Sequence, residues 1–393
     1  MSSLDGVTSI ADGEREAFAG AAGIRKVAVV LGMVTPYTNR LYEEIAAQSG
    51  IELRVFACTD IEPGRQWTLP PAQRYSRRVL SGLRWHRTYL SHVYLNPSIV
   101  PALFAYRPDV VVISDFSPTM LFAALTARLM GKSVALASDT QPDTDPGANS
   151  GLHRLARRLI VPLATAGVGG SEGTREVFTR YGLGRERTVV CPVVPGWDYH
   201  GDAPSFEERP YDLLFCGHID EERKGALFFL ETVKRLHQRG RRLSVRIVGD
   251  GPLRARLERE FATSGIDARF DGYLQQDQLA EAYLSARLFL FPSRGDPWGL
   301  VANEAAQCGT PTIVSPHAQA AHELVVPYGC GSVVELEEDR WADEVERYLD
   351  DPSPWLRAQS GGVASRGAFS LQQAARNYLK AMAIARGRPK VRS

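Results

Sequence analysis

The sequence predicts an α/β protein built from two doubly wound parallel-sheet domains. The chain has 393 residues, more than one core accommodates at roughly 150 residues per domain. Short apolar runs alternate with amphipathic stretches, which is typical of buried parallel strands covered by helices. The alternation stops at a proline-rich, acidic stretch, 195–210, and then starts again. We therefore interpret that stretch as an interdomain linker.

The first alternation defines an N-terminal domain over 24–198. Residues 1–23 are small and polar and are expected to form a disordered tail. Buried strands and helices follow in turn, with strands at 27–31, 51–57, 109–114 and 133–137 and helices at 41–48 and 119–130. The segment 74–107 is basic and aromatic, and we expect it to be helical.

The second alternation defines a C-terminal domain over 199–370. Its predicted strands are 211–217, 243–249, 268–273, 288–293 and 310–314, and its helices are 226–238, 252–264, 279–285 and 301–307. A last helix at 372–385 and a basic tail at 386–393 make up the remaining region, 371–393. Ligands of such domains are expected at the carboxyl ends of the strands and in the crevice between the lobes.

Composition excludes several classes of function. The formal net charge is +1, which argues against general nucleic-acid binding. The five cysteines are scattered, without a C-x-x-C pair, so neither a disulfide framework nor a zinc site is expected. The N-terminus lacks the order of a signal peptide, and no apolar run approaches the ~20 residues that cross a bilayer. We expect a cytoplasmic protein that at most contacts an anionic membrane surface.

The segment 217–225 ends a predicted strand with glycine and places basic residues before a helix. Gly217 and the following helix N-terminus offer backbone N–H groups to an anion, and Lys224 adds a positive charge suited to a diphosphate. The alternative interpretation is a solvated turn with ordinary surface charges. A second turn, 248–252, includes Gly249, which permits close backbone approach to a ligand but also occurs in simple connectors.

The segment 292–305 carries two acids eight residues apart around a glycine-rich loop. Asp296 is placed to accept sugar hydroxyls, and the backbone N–H groups around Trp298, Gly299 and Leu300 are placed to bind phosphate. Glu304 follows within the helix among apolar neighbours, where a buried carboxylate needs a partner, and it suits a ribose diol. The alternative makes Asp296 a helix N-cap and Glu304 a surface residue.

These segments, together with the FDGY run and the His322–Glu323 pair, resemble the retaining GT-B glycosyltransferases of family 4. The resemblance is specific over 211–335 and weaker over the N-terminal domain. It implies two Rossmann-like domains facing a cleft, a last helix that returns to the N-terminal lobe, and transfer from a nucleoside-diphosphate sugar to an acceptor hydroxyl with retention. It also implies that no metal or other cofactor is needed, and that the product enters polysaccharide or glycolipid assembly.

The resemblance assigns roles to individual residues. Lys224 would neutralise the donor diphosphate and Glu304 would hold the ribose, while the backbone around Gly272 and Tyr273 would contact the base. Asp296 takes the place of the first acid of the family's E-x7-E motif, with a shorter reach.

Two positions depart from the family pattern. His218 stands where an arginine is usual, so one diphosphate cation becomes a titratable imidazole, and Arg223 or Arg294 is expected to supply the missing charge. Asp139 stands where the family commonly has a catalytic histidine. These departures keep open a non-catalytic sugar-nucleotide-binding partner protein, and the shared architecture keeps open a sugar-nucleotide 2-epimerase. The sequence leaves the base, the sugar, the acceptor and the oligomeric state open.

The N-terminal domain is expected to hold the acceptor. Five polar residues follow its predicted strand ends and are candidates for binding acceptor hydroxyls, although loop acids are more often N-caps: Asp115, Ser117, Asp139, Thr140 and Asp143. The stretch 77–95 mixes arginines with aromatic residues, which suits either an anionic lipid surface or a helix with its aromatic residues packed inward.

Overall fold

A computed structural model describes residues 23–62, 67–88, 91–143 and 145–387. The tail predicted at 1–23 lies outside this range except for Gly23, as do the last six residues of the basic tail. The chain divides into a first unit, Met1–Pro192 with Leu371–Ser393, and a second unit, Val193–Ser370. Within the described residues, no helix is both long and apolar enough to span a bilayer.

The first unit is built on a seven-stranded parallel sheet. Its strands are β1 (Lys26–Leu31), β2 (Glu52–Ala57), β3 (Ser76–Val79), β6 (Val110–Ser114), β7 (Ser133–Ser138), β8 (Ala166–Gly169) and β9 (Thr188–Val190), in the order β3-β2-β1-β6-β7-β8-β9. The central strands are buried on both faces, since Val27–Val30 and Val110–Ile113 are at most 1% exposed. Continuous apolar runs are what a sheet covered on both faces requires.

Helices cover both faces of this sheet. They are α1 (Pro36–Ser49), α2 (Ile99–Tyr106), α3 (Pro118–Leu129), α4 (Pro146–Asn149), α5 (Gly151–Ile160), α6 (Glu172–Arg180) and the final helix α14 (Leu371–Arg386). α1 begins at a capping box formed by Thr35 and Thr38 and ends at Gly50, whose φ of 62° suits a helix C-terminus. The final helix packs on α1 and β8 and is part of the first unit.

The helix expected within 74–107 is wrong for most of that segment. The described residues of this segment instead form β3 and the antiparallel pair of β4 (Leu83–Thr88) and β5 (Ser91–Leu95), and α2 is the one helix among them. Gly82 permits this path, because a Cβ there would lie 2.4 Å from the carbonyl oxygen of Leu95. Tyr94 is buried whereas Trp85 is half exposed, so the segment does not pack its aromatic residues inward as one helix would.

The second unit is built on a six-stranded parallel sheet. Its strands are β10 (Tyr211–Cys216), β11 (Ser244–Val248), β12 (Asp267–Gly272), β13 (Ala286–Phe291), β14 (Thr312–Val314) and β15 (Gly331–Val333), in the order β12-β11-β10-β13-β14-β15. Its helices are α7 (Ala226–Gln238), α8 (Arg254–Thr263), α9 (Gln276–Leu284), α10 (Leu300–Gln307), α11 (Val326–Tyr328), α12 (Glu338–Asp350) and α13 (Pro352–Ser365). The predicted fold class, two doubly wound parallel sheets, is confirmed.

Each sheet has one point at which the strand order reverses. In the second unit the chain builds outward from β10 to β12 on one side and from β13 to β15 on the other, so the reversal lies between β10 and β13. In the first unit it lies between β1 and β6. Ligands of doubly wound sheets bind where the strand order reverses, beyond the carboxyl ends of the two strands.

Candidate functional site: an ion cluster at the reversal of the second sheet

Two loops of the second unit meet where its strand order reverses. The loop 217–225 follows β10, and the loop 292–299 follows β13. Gly225 has a φ of 66°, and a Cβ added to it would lie 2.1 Å from the carbonyl oxygen of Pro292. A glycine is therefore required at this position for the loops to touch.

A carboxylate and two cations join these loops. The Nζ of Lys224 lies 2.7 Å from Oδ2 of Asp296, and a guanidinium nitrogen of Arg223 lies 3.2 Å from the same oxygen. Lys224 is 8% exposed and Asp296 is 6% exposed, whereas a third of the Arg223 side chain is exposed. Of the two arginines expected to replace the family's missing cation, Arg223 is thus in the cluster.

The cluster carries a net positive charge at neutral pH. Burial by itself would raise the pKa of Asp296, but the charges of Lys224 and Arg223 outweigh it and hold that pKa below its ordinary value. One ionised carboxylate thus faces two cations. The Lys224 ammonium also lies 4.9 Å from the centre of the Phe291 ring, on the strand that leads to Asp296.

The turn that presents the two cations is held by Asp220. Its Oδ1 accepts hydrogen bonds of 2.9 Å from the backbone N–H groups of both Arg223 and Lys224. Such Asx-type contacts fix a tight turn. Asp220 was not among the predicted site residues, although an acid three residues before a basic pair was the available signal.

The N-terminus of α7 does not present free N–H groups to an anion as the sequence analysis expected. The Glu221 carboxylate accepts hydrogen bonds from the backbone N–H groups of Leu227, at 2.7 Å, and Phe228, at 3.4 Å. A side chain of this chain therefore occupies that helix terminus. Arg294 donates to the other oxygen of Glu221, at 2.8 Å, and is thereby engaged away from the ion cluster.

Glu304 lies in α10, and its carboxyl group is buried. It is 5% exposed and accepts a hydrogen bond of 2.7 Å from the Tyr283 hydroxyl. Burial raises its pKa from 4.5 to about 7, although the Tyr283 hydrogen bond and the Lys224 charge oppose that change. The apolar sequence around Glu304 predicted that this acid needs a partner. It did not identify Tyr283 as the partner, because Tyr283 lies on a different helix, α9.

The segment 296–300 leads from the ion cluster into α10. The backbone N–H of Trp298 donates to Oδ1 of Asp296 at 3.4 Å. The buried Trp298 ring stacks on Phe369. Gly299 has a φ of 97°, and no side chain caps the helix that begins at Leu300. Asp296 therefore engages the Trp298 N–H, and the N–H groups of Gly299 and Leu300 stay the predicted phosphate contacts of this segment.

Three predicted glycines lie side by side at the ends of β10, β11 and β12. The N–H of Gly217 donates to Val248, and the N–H of Gly249 donates to Gly272. A Cβ on Gly249 would lie 1.8 Å from the carbonyl oxygen of Gly217. These glycines allow the ends of the three strands to pack closely. The first glycine of the GDGP turn therefore has a structural reason as well as the ligand role predicted for it.

His218, Tyr273 and Asp139 complete the predicted site residues. His218 is partly buried in the loop after β10, and Tyr273, which follows β12, is 39% exposed. Asp139 is exposed after β7 and belongs to the first unit.

The first unit has its own acid where its sheet order reverses. Asp115 follows β6 and has a φ of 85°, a strained value for a residue other than glycine. Burial raises its pKa to about 6, against the lowering effect of its hydrogen bond from the Ser117 N–H. Nearby, the Tyr94 hydroxyl donates a hydrogen bond to the Glu62 carboxylate, and the charge of Glu62 also raises the pKa of Asp115. Of the five polar candidates for acceptor binding, Asp115 is the one with strained backbone.

Comparison with known proteins gives matches over both units. A family model described as "Glycosyl transferases group 1" matches residues 210–351, and one described as "Glycosyl transferase 4-like domain" matches residues 32–193. Among solved structures, HepE of Anabaena in complex with UDP and glucose superimposes with a TM-score of 0.67 at 15% identity, covering 89% of this chain and 97% of that one.

Curated relatives match a shorter part of the chain. Sulfoquinovosyl transferase SQD2 of Arabidopsis thaliana is 25% identical over 267 residues, which are 62% of this chain and 51% of that protein. A D-inositol 3-phosphate glycosyltransferase of Pseudarthrobacter chlorophenolicus is 27% identical over 269 residues, 61% of each protein. The chain thus spans about half to three fifths of the length of these relatives.

Proposed function

Because this chain belongs to the glycosyl transferases group 1, family 4, and has the GT-B fold, we propose that it transfers a sugar from a nucleoside-diphosphate sugar to an acceptor hydroxyl. The observation that carries the proposal is the buried Lys224. Together with Arg223 it forms ion pairs with the carboxylate of Asp296 where the strand order of the second sheet reverses. A net positive cluster at the ligand-binding end of a doubly wound sheet suits a diphosphate.

The ion cluster supports departure of the diphosphate. The bond between the sugar's anomeric carbon and the diphosphate oxygen breaks, and negative charge grows on that oxygen. Lys224 and Arg223 supply preorganised positive charge for it; in other enzymes, removing one donor of this kind costs ~2.7–4 kcal/mol. Asp296 keeps both cations in place before the donor enters, and its carboxylate then suits the sugar hydroxyls.

Glu304 gives the donor site its second contact. Its buried carboxyl group lies near Lys224 and keeps one oxygen for the Tyr283 hydroxyl. The other oxygen is available to a ribose diol, which matches the role that the family resemblance implies. Donor binding then depends on the protonation of Glu304, because an ionised carboxylate accepts two hydroxyl hydrogen bonds better than a protonated one.

The acceptor hydroxyl replaces the diphosphate at the anomeric carbon. A new carbon–oxygen bond forms, and the hydroxyl proton passes to the departing diphosphate. Retention of configuration follows from the family resemblance, as does independence from metal. Asp115 is our candidate for holding acceptor hydroxyls, because it follows β6 at the reversal point of the first sheet and has the strained backbone that is often found at functional sites.

The test is acceptor-dependent release of nucleoside diphosphate. Sugar nucleotides of uridine, guanosine, adenosine, thymidine and cytidine are offered with D-inositol 3-phosphate and other polyols, with and without EDTA. We expect one donor to release its diphosphate only when acceptor is present, at the same rate in EDTA, and NMR of the product to show the donor's anomeric configuration. Isomerisation of the sugar without acceptor would support an epimerase instead, and binding without turnover would support a non-catalytic partner protein.

A further inference from the structure

Two neighbouring helices of the first unit expose leucines to solvent. α3 and α5 pack against each other, and five leucines on them are between 42% and 83% exposed: Leu125, Leu129, Leu152, Leu155 and Leu159. Three of these follow the spacing i, i+3, i+7 along α5, so they form one stripe of that helix. Single exposed leucines are ordinary on a protein surface, but a group on adjacent helices indicates a binding surface.

Positive charge accompanies these leucines. Arg128 lies between the two leucines of α3 in sequence, and Arg154 and Arg158 form a second stripe on α5. The sequence contains neither aspartate nor glutamate over 116–138 or 146–171. Among the described residues, Arg128 and Arg158 have no ion-pair partner. We call these five leucines and three arginines the leucine–arginine surface.

Buried contacts on one side of α5 fix the orientation of the helix. Arg157 is 3% exposed, pairs with Asp145 and lies with its guanidinium 4.4 Å from the centre of the Phe116 ring. Ile160 is also buried. The leucines face outward because the opposite side of the helix packs into the unit's interior.

An open groove of about 620 Å³ adjoins the arginine stripe of α5. Its charged lining residues are Arg154, Arg158 and Arg180. Arg154 donates to the backbone oxygens of Gly147 and Ala148, and Arg180 pairs with Glu176 at 3.1 Å. Arg158 adds a guanidinium without such a partner, so the groove retains positive charge beside an apolar stripe.

We propose that the leucine–arginine surface binds an anionic phospholipid bilayer. Leucines on one stripe and arginines on the adjoining one suit a helix lying in the membrane interface, with the leucines among the acyl chains and the arginines at the lipid phosphates. The absence of acids from both segments removes the repulsion that an anionic surface would otherwise meet. This surface differs from 77–95, for which the sequence analysis considered lipid contact.

The test is co-sedimentation of the full chain with vesicles, without any sugar nucleotide. Vesicles contain equal parts of phosphatidylglycerol and phosphatidylcholine, or phosphatidylcholine alone. We expect binding to the anionic vesicles that weakens at high salt, since charge contributes to it. The double variant Leu129→Ser/Leu155→Ser removes apolar contacts, and we expect it to lower the partition coefficient roughly tenfold or more. Arg154→Gln/Arg158→Gln should bind weakly even at low salt.

The matched control is Leu356→Ser/Arg357→Gln, on an exposed part of α13 in the second unit. It should bind vesicles as the unchanged chain does, and all variants should keep their melting temperature because the altered residues are exposed. Failure of the unchanged chain to pellet with anionic vesicles would overturn the proposal, as would equal binding by the leucine variant and the control. Self-association in sedimentation velocity, lost in the leucine variant, would assign the surface to a second copy of the chain instead.

Discussion

Glu304 shows how one buried residue links the stability of the second unit to its chemistry. Its carboxyl group is buried near Lys224, and the Tyr283 hydroxyl is its hydrogen-bond partner. The resulting pKa of about 7 is higher than the 4.5 of an ordinary glutamate. The folded chain therefore holds a proton that the unfolded chain releases between these two values, and stability falls as pH rises through this window.

Replacing this carboxyl group by an amide should remove that pH dependence. Glu304→Gln keeps an acceptor for Tyr283 and cannot ionise. Near pH 8 its free energy of unfolding should exceed that of the unchanged chain by about 1–3 kcal/mol, and near pH 5 the two values should differ little. Thermal or denaturant unfolding at both pH values measures this. Glu260→Gln, which breaks an exposed pair with Lys234, is the control and should change stability equally at the two pH values. An equal effect of Glu304→Gln at both values would contradict the assigned pKa.

Lys224, Asp296 and Glu304 were predicted to lie in one region because their segments follow strands whose carboxyl ends share one edge of a parallel sheet. The sequence did not identify Tyr283, because that side chain comes from a different helix, 21 residues away in the chain. It also left the α7 terminus open for a ligand, although Glu221 occupies it. Contacts between side chains of separate elements depend on packing, and a single sequence does not specify them.

At the scale of elements, the contact between the loops after β10 and β13 depends on Gly225. Gly225→Ala would combine a left-handed backbone with a Cβ 2.1 Å from the Pro292 oxygen. Gly240 is the matched control, since its φ is 88° but nothing lies within 4 Å of an added Cβ. Gly240→Ala should cost about 1 kcal/mol, the penalty of the backbone conformation alone.

Gly225→Ala should cost clearly more, because the two loops must separate, and it should also weaken binding of nucleoside diphosphate by moving Lys224 away from Asp296. Urea unfolding measures the first effect and calorimetric titration the second. Equal losses of stability in the two alanine variants, with nucleotide binding intact, would show that the loops do not need this contact.

The hairpin of β4 and β5 marks where element prediction failed. Strands buried on both faces were recognised from their apolar runs, and that signal is strong in β1, β6 and β13. Residues 76–95 carry arginines and aromatic residues without a clear period of two or of 3.6. Gly82, between β3 and β4, was the available evidence against one continuous helix, and the close approach of its backbone to Leu95 shows why a glycine stands there.

At the scale of the whole molecule, the alternation of predicted strands and helices along the chain was sufficient to predict two doubly wound sheets. It did not give the strand order, because parallel strands that follow one another in sequence need not be neighbours. The order β12-β11-β10-β13-β14-β15 places the reversal between the two loops that the sequence had singled out. Motif and topology therefore agree on the ion cluster, although they are independent observations.

The central claim is that this ion cluster binds the diphosphate of the donor. Isothermal titration of the full chain with UDP, GDP, ADP, dTDP and CDP in EDTA tests it most directly, together with the variants Lys224→Gln and Lys234→Gln. Lys234 lies on α7 of the same unit and pairs with Glu260 on its surface, so it controls for loss of a lysine. We predict that at least one nucleotide binds the unchanged chain and Lys234→Gln equally, and binds Lys224→Gln roughly ten- to a hundredfold more weakly. Binding that Lys224→Gln leaves unchanged, or no binding of any of the five nucleotides, would contradict the claim.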